Sequence, residues 1–240
     1  MTATRSAMNS LPDAFDHFAM RILPAGLSDA AHLRFQSLAR YEKLECDQSL
    51  DFSDAGPHIL FLARGSIKLV AHASRSRDQI VAFHFGGEML SVPRRDHYSY
   101  SVCALRQCRI VSFPTADFLE LAADDAIVMG CLLDRATMSL QRCREKAIAL
   151  GRKTASERIA IFLIGMADRI GNVQEGRILL DLPMSRRDIA ESLGLTIETV
   201  SRRLSALRAD GAIETVGRSG IILNDLAALH GRAGFLCEAA

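Results

Sequence analysis

One stretch constrains the fold of this chain more than any other: residues 185–207, which read SRRDIAESLGLTIETVSRRLSAL. Its pattern predicts two short helices joined by a tight turn. The apolar residues of the first helix recur with helical spacing and are Ile189, Ala190 and Leu193. Gly194 would form the turn, because glycine adopts backbone conformations that other residues resist. Thr196 is a suitable N-cap for the second helix, so the sequence predicts a helix-turn-helix unit.

The second helix has two distinct faces. One is apolar, at positions i, i+4 and i+7, and consists of Val200, Leu204 and Leu207. Another brings together three polar residues, Glu198, Ser201 and Arg202. In a major groove, arginine can span N7 and O6 of guanine, and glutamate can accept a hydrogen bond from the amino group of cytosine. These three residues are therefore candidate base contacts, although an ordinary helical hairpin with a solvated polar face would have the same spacing.

Residues 195–202, LTIETVSR, resemble the L-T-x-E-T-[IV]-S-R signature of the FNR and FixK branch of the CRP/FNR superfamily of bacterial transcription regulators. The E-x-x-S-R part is the more specific, since CRP has an arginine at the position of Ile197 and a glycine at that of Ser201. The resemblance covers nearly the whole chain but is much weaker before residue 150. It implies a homodimer that binds double-stranded DNA, with RNA polymerase as a further partner.

The same resemblance implies an inverted-repeat DNA site of the form TTGAT-N4-ATCAA. Arg202 would contact guanine, Glu198 the cytosine of the opposite strand, and Ser201 the neighbouring A·T pairs. Contacts to phosphates position a protein without reading sequence. They are expected from Ser185, Arg186, Thr196 and Arg203. The target genes, and whether the protein activates or represses them, stay open.

Composition alone gives no argument for nucleic acid. The 240 residues carry a formal net charge of +1, so attraction to DNA must come from the arginines clustered around the motif. With 49% hydrophobic and 24% charged residues, the chain can bury cores and has room for two domains. Residues 1–20 lack the layout of a signal peptide, and no apolar run approaches the roughly 18 residues of a membrane span. We expect a cytoplasmic protein that does not contact membranes.

Two further parts are predicted upstream of the motif. Residues 1–45 suggest a loose terminus followed by short helices at 13–20 and 29–40. Residues 46–123 predict a compact β-structure, because short β-rich runs alternate with turn residues, including those at 74–78. The runs are His58–Leu62, Ser66–Ala71, Gln79–Phe85, Tyr98–Ala104 and Cys108–Phe113. By resemblance this part is the β-roll sensor domain of the superfamily.

No iron–sulfur cluster, other cofactor or metal is predicted. An FNR-type cluster needs four thiolates, yet residues 1–45 contain no cysteine and the fourth FNR ligand position falls near Val111. Cys46 is the nearest substitute, one thiol where three are needed. The histidines have no metal-ligand spacing. The chain also lacks a nucleophile elbow, a phosphate loop and paired metal ligands, so we expect no enzyme.

Cyclic-nucleotide binding is the alternative for the β-roll. Members that bind such ligands neutralise the phosphate with an Arg-Ser/Thr-Ala triplet, and here that position reads Tyr98-Ser99-Tyr100. A buried phosphate would lack its main counter-charge, unless Arg94 or Arg95 replaces the missing arginine. Only the Gly87-Glu88 turn of the ligand site is retained. An effector-gated regulator that binds a cyclic nucleotide or another small molecule stays open.

Residues 124–150 predict one long helix, with the acidic pair Asp124-Asp125 at its positive end. Its apolar residues recur at alternating steps of three and four, like the a and d positions of a coiled coil. This seam consists of Met129, Leu133, Ala136, Leu140, Cys143, Ala147 and Leu150. It predicts a parallel dimer, which the resemblance also implies. An amphipathic helix packed on its own β-domain is the alternative, and whether Cys143 is redox-active stays open.

Residues 151–240 are predicted to form the DNA-binding domain. Residues 151–154 would break the long helix, and a helix at 155–170 and a strand at 178–182 would precede the motif. A hairpin of residues 211–216 and 221–223 would form the wing of a winged helix, followed by a short helix from residue 225 and a frayed end. The predicted fold is therefore α+β: an N-terminal cyclic-nucleotide-binding-like β-roll, a long dimerisation helix and a C-terminal winged helix-turn-helix.

Overall fold

A computed structural model describes residues 10–52, 56–73 and 78–235 of the chain. The first nine residues of the predicted loose terminus, residues 74–77 of the predicted turn and the last five residues, 236–240, lie outside this range. The chain divides into two compact units, residues 1–138 and residues 139–240.

The first unit contains two four-stranded antiparallel sheets. One has the strand order β1-β8-β3-β6 and the other β2-β7-β4-β5. The strands are β1 (Arg40–Leu44), β2 (Ser49–Asp51), β3 (His58–Arg64), β4 (Ser66–His72), β5 (Asp78–Phe85), β6 (Met89–Val92), β7 (Ser99–Ala104) and β8 (Cys108–Pro114). All five predicted strands are present. The three that sequence reasoning missed are short: β1, β2 and β6.

Two hydrophobic cores hold this unit together. One is formed by inward-facing residues of both sheets, such as Leu60, Leu69 and Val102. The other lies between the first sheet and helices α1 (Leu11–Ile22), α2 (Asp29–Leu38) and α3 (Thr115–Ala123). Its centre is aromatic: the ring centroids of Phe18 and Phe113 are 4.8 Å apart. The two predicted N-terminal helices correspond to α1 and α2.

The long predicted helix is α4 (Ala126–Arg152), a continuous helix of 27 residues. Asp125 begins it, because its Oδ1 accepts hydrogen bonds from the backbone N–H groups of Ile127 and Val128, at 2.8 and 3.1 Å. The helix continues through Gly151 and Arg152, which were predicted to break it. A glycine near the end of a helix lowers helical preference only by about 1 kcal/mol, so the neighbouring residues keep this segment helical.

The second unit follows the predicted order of elements. It contains α5 (Ala155–Ile170), β9 (Asn172–Gln174), β10 (Arg177–Asp181), α6 (Arg186–Leu193), α7 (Ile197–Ala209), β11 (Ile213–Val216), β12 (Gly220–Leu223) and α8 (Leu226–Ala233). The antiparallel sheet has the order β11-β12-β10-β9. Strands β11 and β12 form the predicted wing hairpin, whereas β9, three exposed residues long, was not predicted. The α+β fold class is confirmed in all three predicted parts.

None of the helices within the described ranges is long and apolar enough to cross a membrane.

Candidate nucleic-acid interface

Helix α6 begins with a reciprocal cap between Ser185 and Asp188. The Ser185 Oγ accepts a hydrogen bond from the Asp188 backbone N–H at 3.1 Å. The Asp188 carboxylate in turn accepts from the Ser185 backbone N–H at 2.8 Å and from its hydroxyl at 2.6 Å. This capping box satisfies two donors that would otherwise lack partners at the helix start. At the other end Gly194 adopts a left-handed conformation, with φ of 62°, as the sequence predicted.

Helix α7 presents the predicted polar face to solvent. Thr196 caps it, its Oγ1 accepting a hydrogen bond from the Thr199 backbone N–H at 3.2 Å. The apolar face is buried and consists of Val200, Leu204 and Leu207. The three candidate base contacts are all exposed: Glu198, Ser201 and Arg202. An acceptor, a hydroxyl and a fork of donors therefore project from the first two turns of one exposed helix.

Glu198 is held in its acceptor form. Hydrogen bonds from its own backbone N–H and from the Thr196 hydroxyl lower the pKa of its carboxyl group, and the positive charge of Arg202 lowers it further. An ionised carboxylate acts only as an acceptor, through both of its oxygens. The Glu198 side chain is therefore a hydrogen-bond acceptor at neutral pH.

The four candidate phosphate contacts differ in their surroundings. Ser185 is exposed, but its hydroxyl is already engaged with Asp188. The Arg186 guanidinium is half-buried: its Nη1 has no hydrogen-bond partner among the described residues, and burial lowers its pKa. Thr196 and Arg203 are exposed. The Thr196 hydroxyl is also engaged, with Thr199 and Glu198, so Arg203 is the best placed of the four to meet a phosphate from solvent.

Arg203 points to a different side of α7 from the three candidate base contacts. It borders a cavity of about 310 Å³ whose other walls come from the first turn of α5, from α7 and from α8. The lining residues are Thr154, Ser156, Glu157, Arg203, Ala206, Leu207 and Arg232. Arg203 therefore adds positive charge to α7 without lying among the three candidate base contacts.

The seam of α4 is apolar and exposed in the single chain. The exposed fractions are 39% for Met129, 68% for Leu133 and 50% for Leu140, and the smaller seam residues Ala136, Cys143 and Ala147 are exposed too. Leu150 differs, since it is half-buried beside the helix-turn-helix: its Cδ2 lies 3.6 Å from where a Cβ on Gly194 would be. A stripe of this kind on one helix is typical of a surface that a partner covers.

Two basic residues that sequence reasoning did not single out connect helices of the second unit through hydrogen bonds. Arg158, in the first turn of α5, donates hydrogen bonds to the backbone carbonyls of Leu150, Lys153 and Leu193. Lys146 of α4 donates to the Ser192 hydroxyl at 3.1 Å. A signal for Arg158 was available, because a positive charge in the first turn of a helix is unfavourable and implies a specific partner.

Burial of the Lys146 ammonium lowers its pKa from 10.5 to about 8. Because the unfolded state binds this proton more tightly, the folded protein should gain stability as pH rises from about 8 to 10.5. Lys146→Met removes this titration together with the hydrogen bond to Ser192, so the stability of the wild type relative to the variant should rise by up to about 3 kcal/mol between pH 7 and pH 10.5. Thermal melting of both proteins across this range measures the effect. A constant difference at all pH values would contradict it.

The retained Gly87-Glu88 turn of the β-roll is occupied by contacts within the protein. Gly87 has φ of 90°, a conformation that favours glycine. The Glu88 carboxylate accepts from the Phe85 backbone N–H at 3.3 Å and lies 3.2 Å from Nδ1 of His84. Among the described residues, no group of three or more His, Cys, Asp or Glu side chains is arranged to hold a metal ion.

Comparison with known proteins identifies the family. Residues 157–232 match the Crp-like helix-turn-helix domain, and residues 52–125 match the cyclic nucleotide-binding domain. The nitrogen fixation regulation protein FixK of Azorhizobium caulinodans is 34% identical over 174 residues, which are 72% of this chain and 70% of that protein. This chain belongs to the CRP/FNR family. It is a DNA-binding transcription regulator of that family, as the E-x-x-S-R motif indicated.

Other relatives agree with the FixK-like assignment within the CRP/FNR family. The transcriptional activatory protein AadR of Rhodopseudomonas palustris is 30% identical over 79% of this chain and 80% of its own length. The solved structure of FixK2 from Bradyrhizobium japonicum is similar over 82% of this chain and 98% of that one, with 30% identity and a TM-score of 0.72. These relatives are regulators rather than enzymes.

Proposed function

We propose that this CRP/FNR protein acts as a homodimer that recognises an inverted-repeat promoter site resembling TTGAT-N4-ATCAA. The observation that carries the proposal is the exposed face of α7, where Glu198, Ser201 and Arg202 project together. Their chemistry suits a guanine, the cytosine paired with it and the adjoining A·T pairs. Thr196 and Arg203, with Ser185 and Arg186 at the start of α6, would supply phosphate contacts.

The exposed seam of α4 supports the dimer. At about 1.5 Å per residue, the seam from Met129 to Ala147 extends along most of the 27-residue helix. Burying large apolar side chains contributes about 1.5–3 kcal/mol each, and two copies of the seam would cover one another about a two-fold axis. A two-fold dimer places two recognition helices in successive major grooves, which is why the DNA site should be an inverted repeat.

Activation of transcription, with RNA polymerase as a partner in the cytoplasm, is the role we propose for the bound dimer. The relative AadR is named a transcriptional activatory protein, and FnrL of Cereibacter sphaeroides, 31% identical over 83% of this chain, a transcriptional activator protein. A promoter carrying the site should therefore yield more transcript in the presence of the protein. Less transcript in the presence of the protein would indicate a repressor instead.

Selection of bound sequences from random DNA tests the specificity without assuming the site. The purified full-length protein is expected to enrich an inverted repeat with a guanine and its paired cytosine in each half. Enrichment of a single half-site, or of sequences with no common element, would contradict the proposed homodimer.

An effector-gated regulator is the second candidate, because residues 52–125 match the cyclic nucleotide-binding domain. We favour DNA binding without such a ligand, since the phosphate triplet is replaced by Tyr98-Ser99-Tyr100 and Glu88 is engaged by the backbone of Phe85. Titration with cAMP separates the two candidates. A ligand that binds the folded state raises its melting temperature, so an unchanged melting temperature and unchanged DNA affinity at saturating cAMP support the first.

A further inference from the structure

The guanidinium of Arg158 contacts three chain segments at once. Its Nη2 donates to the Leu150 carbonyl of α4 at 2.7 Å, its Nε to the Lys153 carbonyl between α4 and α5 at 3.0 Å, and its Nη1 to the Leu193 carbonyl at 3.0 Å. Leu193 is the last residue of α6, directly before the Gly194 turn. All three nitrogens of one side chain are thus committed to backbone carbonyls.

This arrangement suits both the arginine and its partners. The last four carbonyls of a helix have no partner within the helix, and that end carries a partial negative charge. A planar guanidinium offers five donors in a fixed fork. One cation can therefore cap the C-terminal ends of α4 and α6 together, which fixes the distance and angle between them.

A second contact joins the same two helices. Lys146, one turn before Leu150 on α4, donates to the hydroxyl of Ser192 on α6, and Ser192 is buried. The two side chains attach the last turns of α4 to the last turn of α6. Helix α7 follows α6 through the Gly194 turn and packs against it, so α7 is held in a fixed orientation to α4.

We propose that Arg158 is a positioning residue for DNA recognition, which sets the spacing between half-sites that the dimer accepts. This inference rests on the proposed function, in which α4 forms the dimer axis and α7 reads the bases. If α4 lies along the axis, the clamp from Arg158 to Leu150 and Leu193 fixes each recognition helix relative to that axis. A rigid pair of recognition helices matches one half-site spacing, because each added base pair turns the second half-site by about 34–36°.

The test compares palindromes that differ only in the spacer. The wild-type protein, Arg158→Gln and Arg158→Lys are titrated against sites with spacers from two to six base pairs, at fixed salt. The wild type should prefer one spacer steeply. Both variants should bind that site about tenfold or more weakly, a change of about 1.4 kcal/mol, and should discriminate less between spacers. Lysine is included because it keeps the charge but cannot reach three separate carbonyls.

Two further measurements separate positioning from other roles. Replacing the guanine of a half-site should lower the affinity of the variants by the same factor as it lowers that of the wild type, because the base contacts by α7 are intact. Arg152→Gln, at the exposed end of α4, removes a nearby positive charge and should leave the spacing profile unchanged. If Arg158 contributed only to fold stability, its variants would melt at a lower temperature but would keep the wild-type spacer preference below that temperature. That result would overturn the inference.

Failure of the role proposed for Arg158 and failure of the proposed dimeric function give different results. If the wild type is steep and a folded, dimeric Arg158→Lys has the same profile, Arg158 does not set the spacing. If the affinity of Arg158→Lys also equals that of the wild type at every spacer, Arg158 contributes only its charge. If the wild type itself has no preferred spacer, the proposed two-fold dimer on an inverted repeat is wrong instead.

Discussion

Leu140→Glu is expected to turn the dimer into monomers and to lower affinity for the inverted repeat by about 100-fold or more. Leu140 is a central seam residue of α4 and is 50% exposed in the single chain. In a parallel dimer it would face its own copy, so the change removes apolar burial on both sides. It also brings two carboxylates together in a water-poor interface, which costs several kcal/mol. Sedimentation and fluorescence anisotropy on the same samples measure mass and affinity.

Met138→Glu is the matched control for this experiment. Met138 lies on the same helix, two residues away, and is 55% exposed, so the single chain gives no reason to treat the two positions differently. It lies off the seam, however, and its variant should remain dimeric and bind the repeat. If both variants dissociate, or neither does, the seam is not the interface.

Arg202→Ala is expected to produce the largest change in base preference. Loss of a bidentate arginine–guanine contact costs about 1–3 kcal/mol, or roughly 5–150-fold in affinity. The preference for guanine at the contacted position should relax, while the other positions keep theirs. Titrating the variant against the repeat and against single-base substitutions of it measures both effects.

Arg203→Ala provides the contrast, since it removes the same charge from a different side of α7. A phosphate contact is indifferent to sequence, so this variant should weaken all sites about equally and lower the slope of affinity against salt. If instead Arg202→Ala lost affinity equally on specific and random DNA, its assignment to base contact would be wrong.

The helix-turn-helix was predictable because its signals are local. A glycine at the turn and a cap at Thr196 each act within four residues, and the apolar spacing points to the same structure. The cap at Ser185 is equally local, but sequence reasoning assigned that residue to phosphate contact only. The five long strands were also readable, since each is a run of β-favouring residues between turns. Strand β1, with the sequence RYEKL and only Leu44 buried, carries no such signal because its other side chains face outward at least in part.

Tertiary contacts account for what the sequence could not predict. The partners of Arg158 are three backbone carbonyls, and carbonyls have no sequence signature. Lys146 reads as an ordinary charge off the seam until folding brings Ser192 to it. Arg186 belongs to a basic motif, but its half-burial depends on how α6 packs. Spacing along a helix reveals which residues share a face, whereas the surface that the face meets becomes known only from the fold.

We propose above all that an exposed face of α7, carried by a dimer, reads an inverted repeat. Equilibrium titration of the purified protein measures it most directly, at fixed salt near 150 mM, against TTGAT-N4-ATCAA and a scrambled duplex of equal length and composition. We predict binding to the repeat about 1,000-fold or more tightly than to the scrambled duplex, with two chains per duplex. Equal affinity for the two duplexes, or one chain per repeat at saturation, would contradict it.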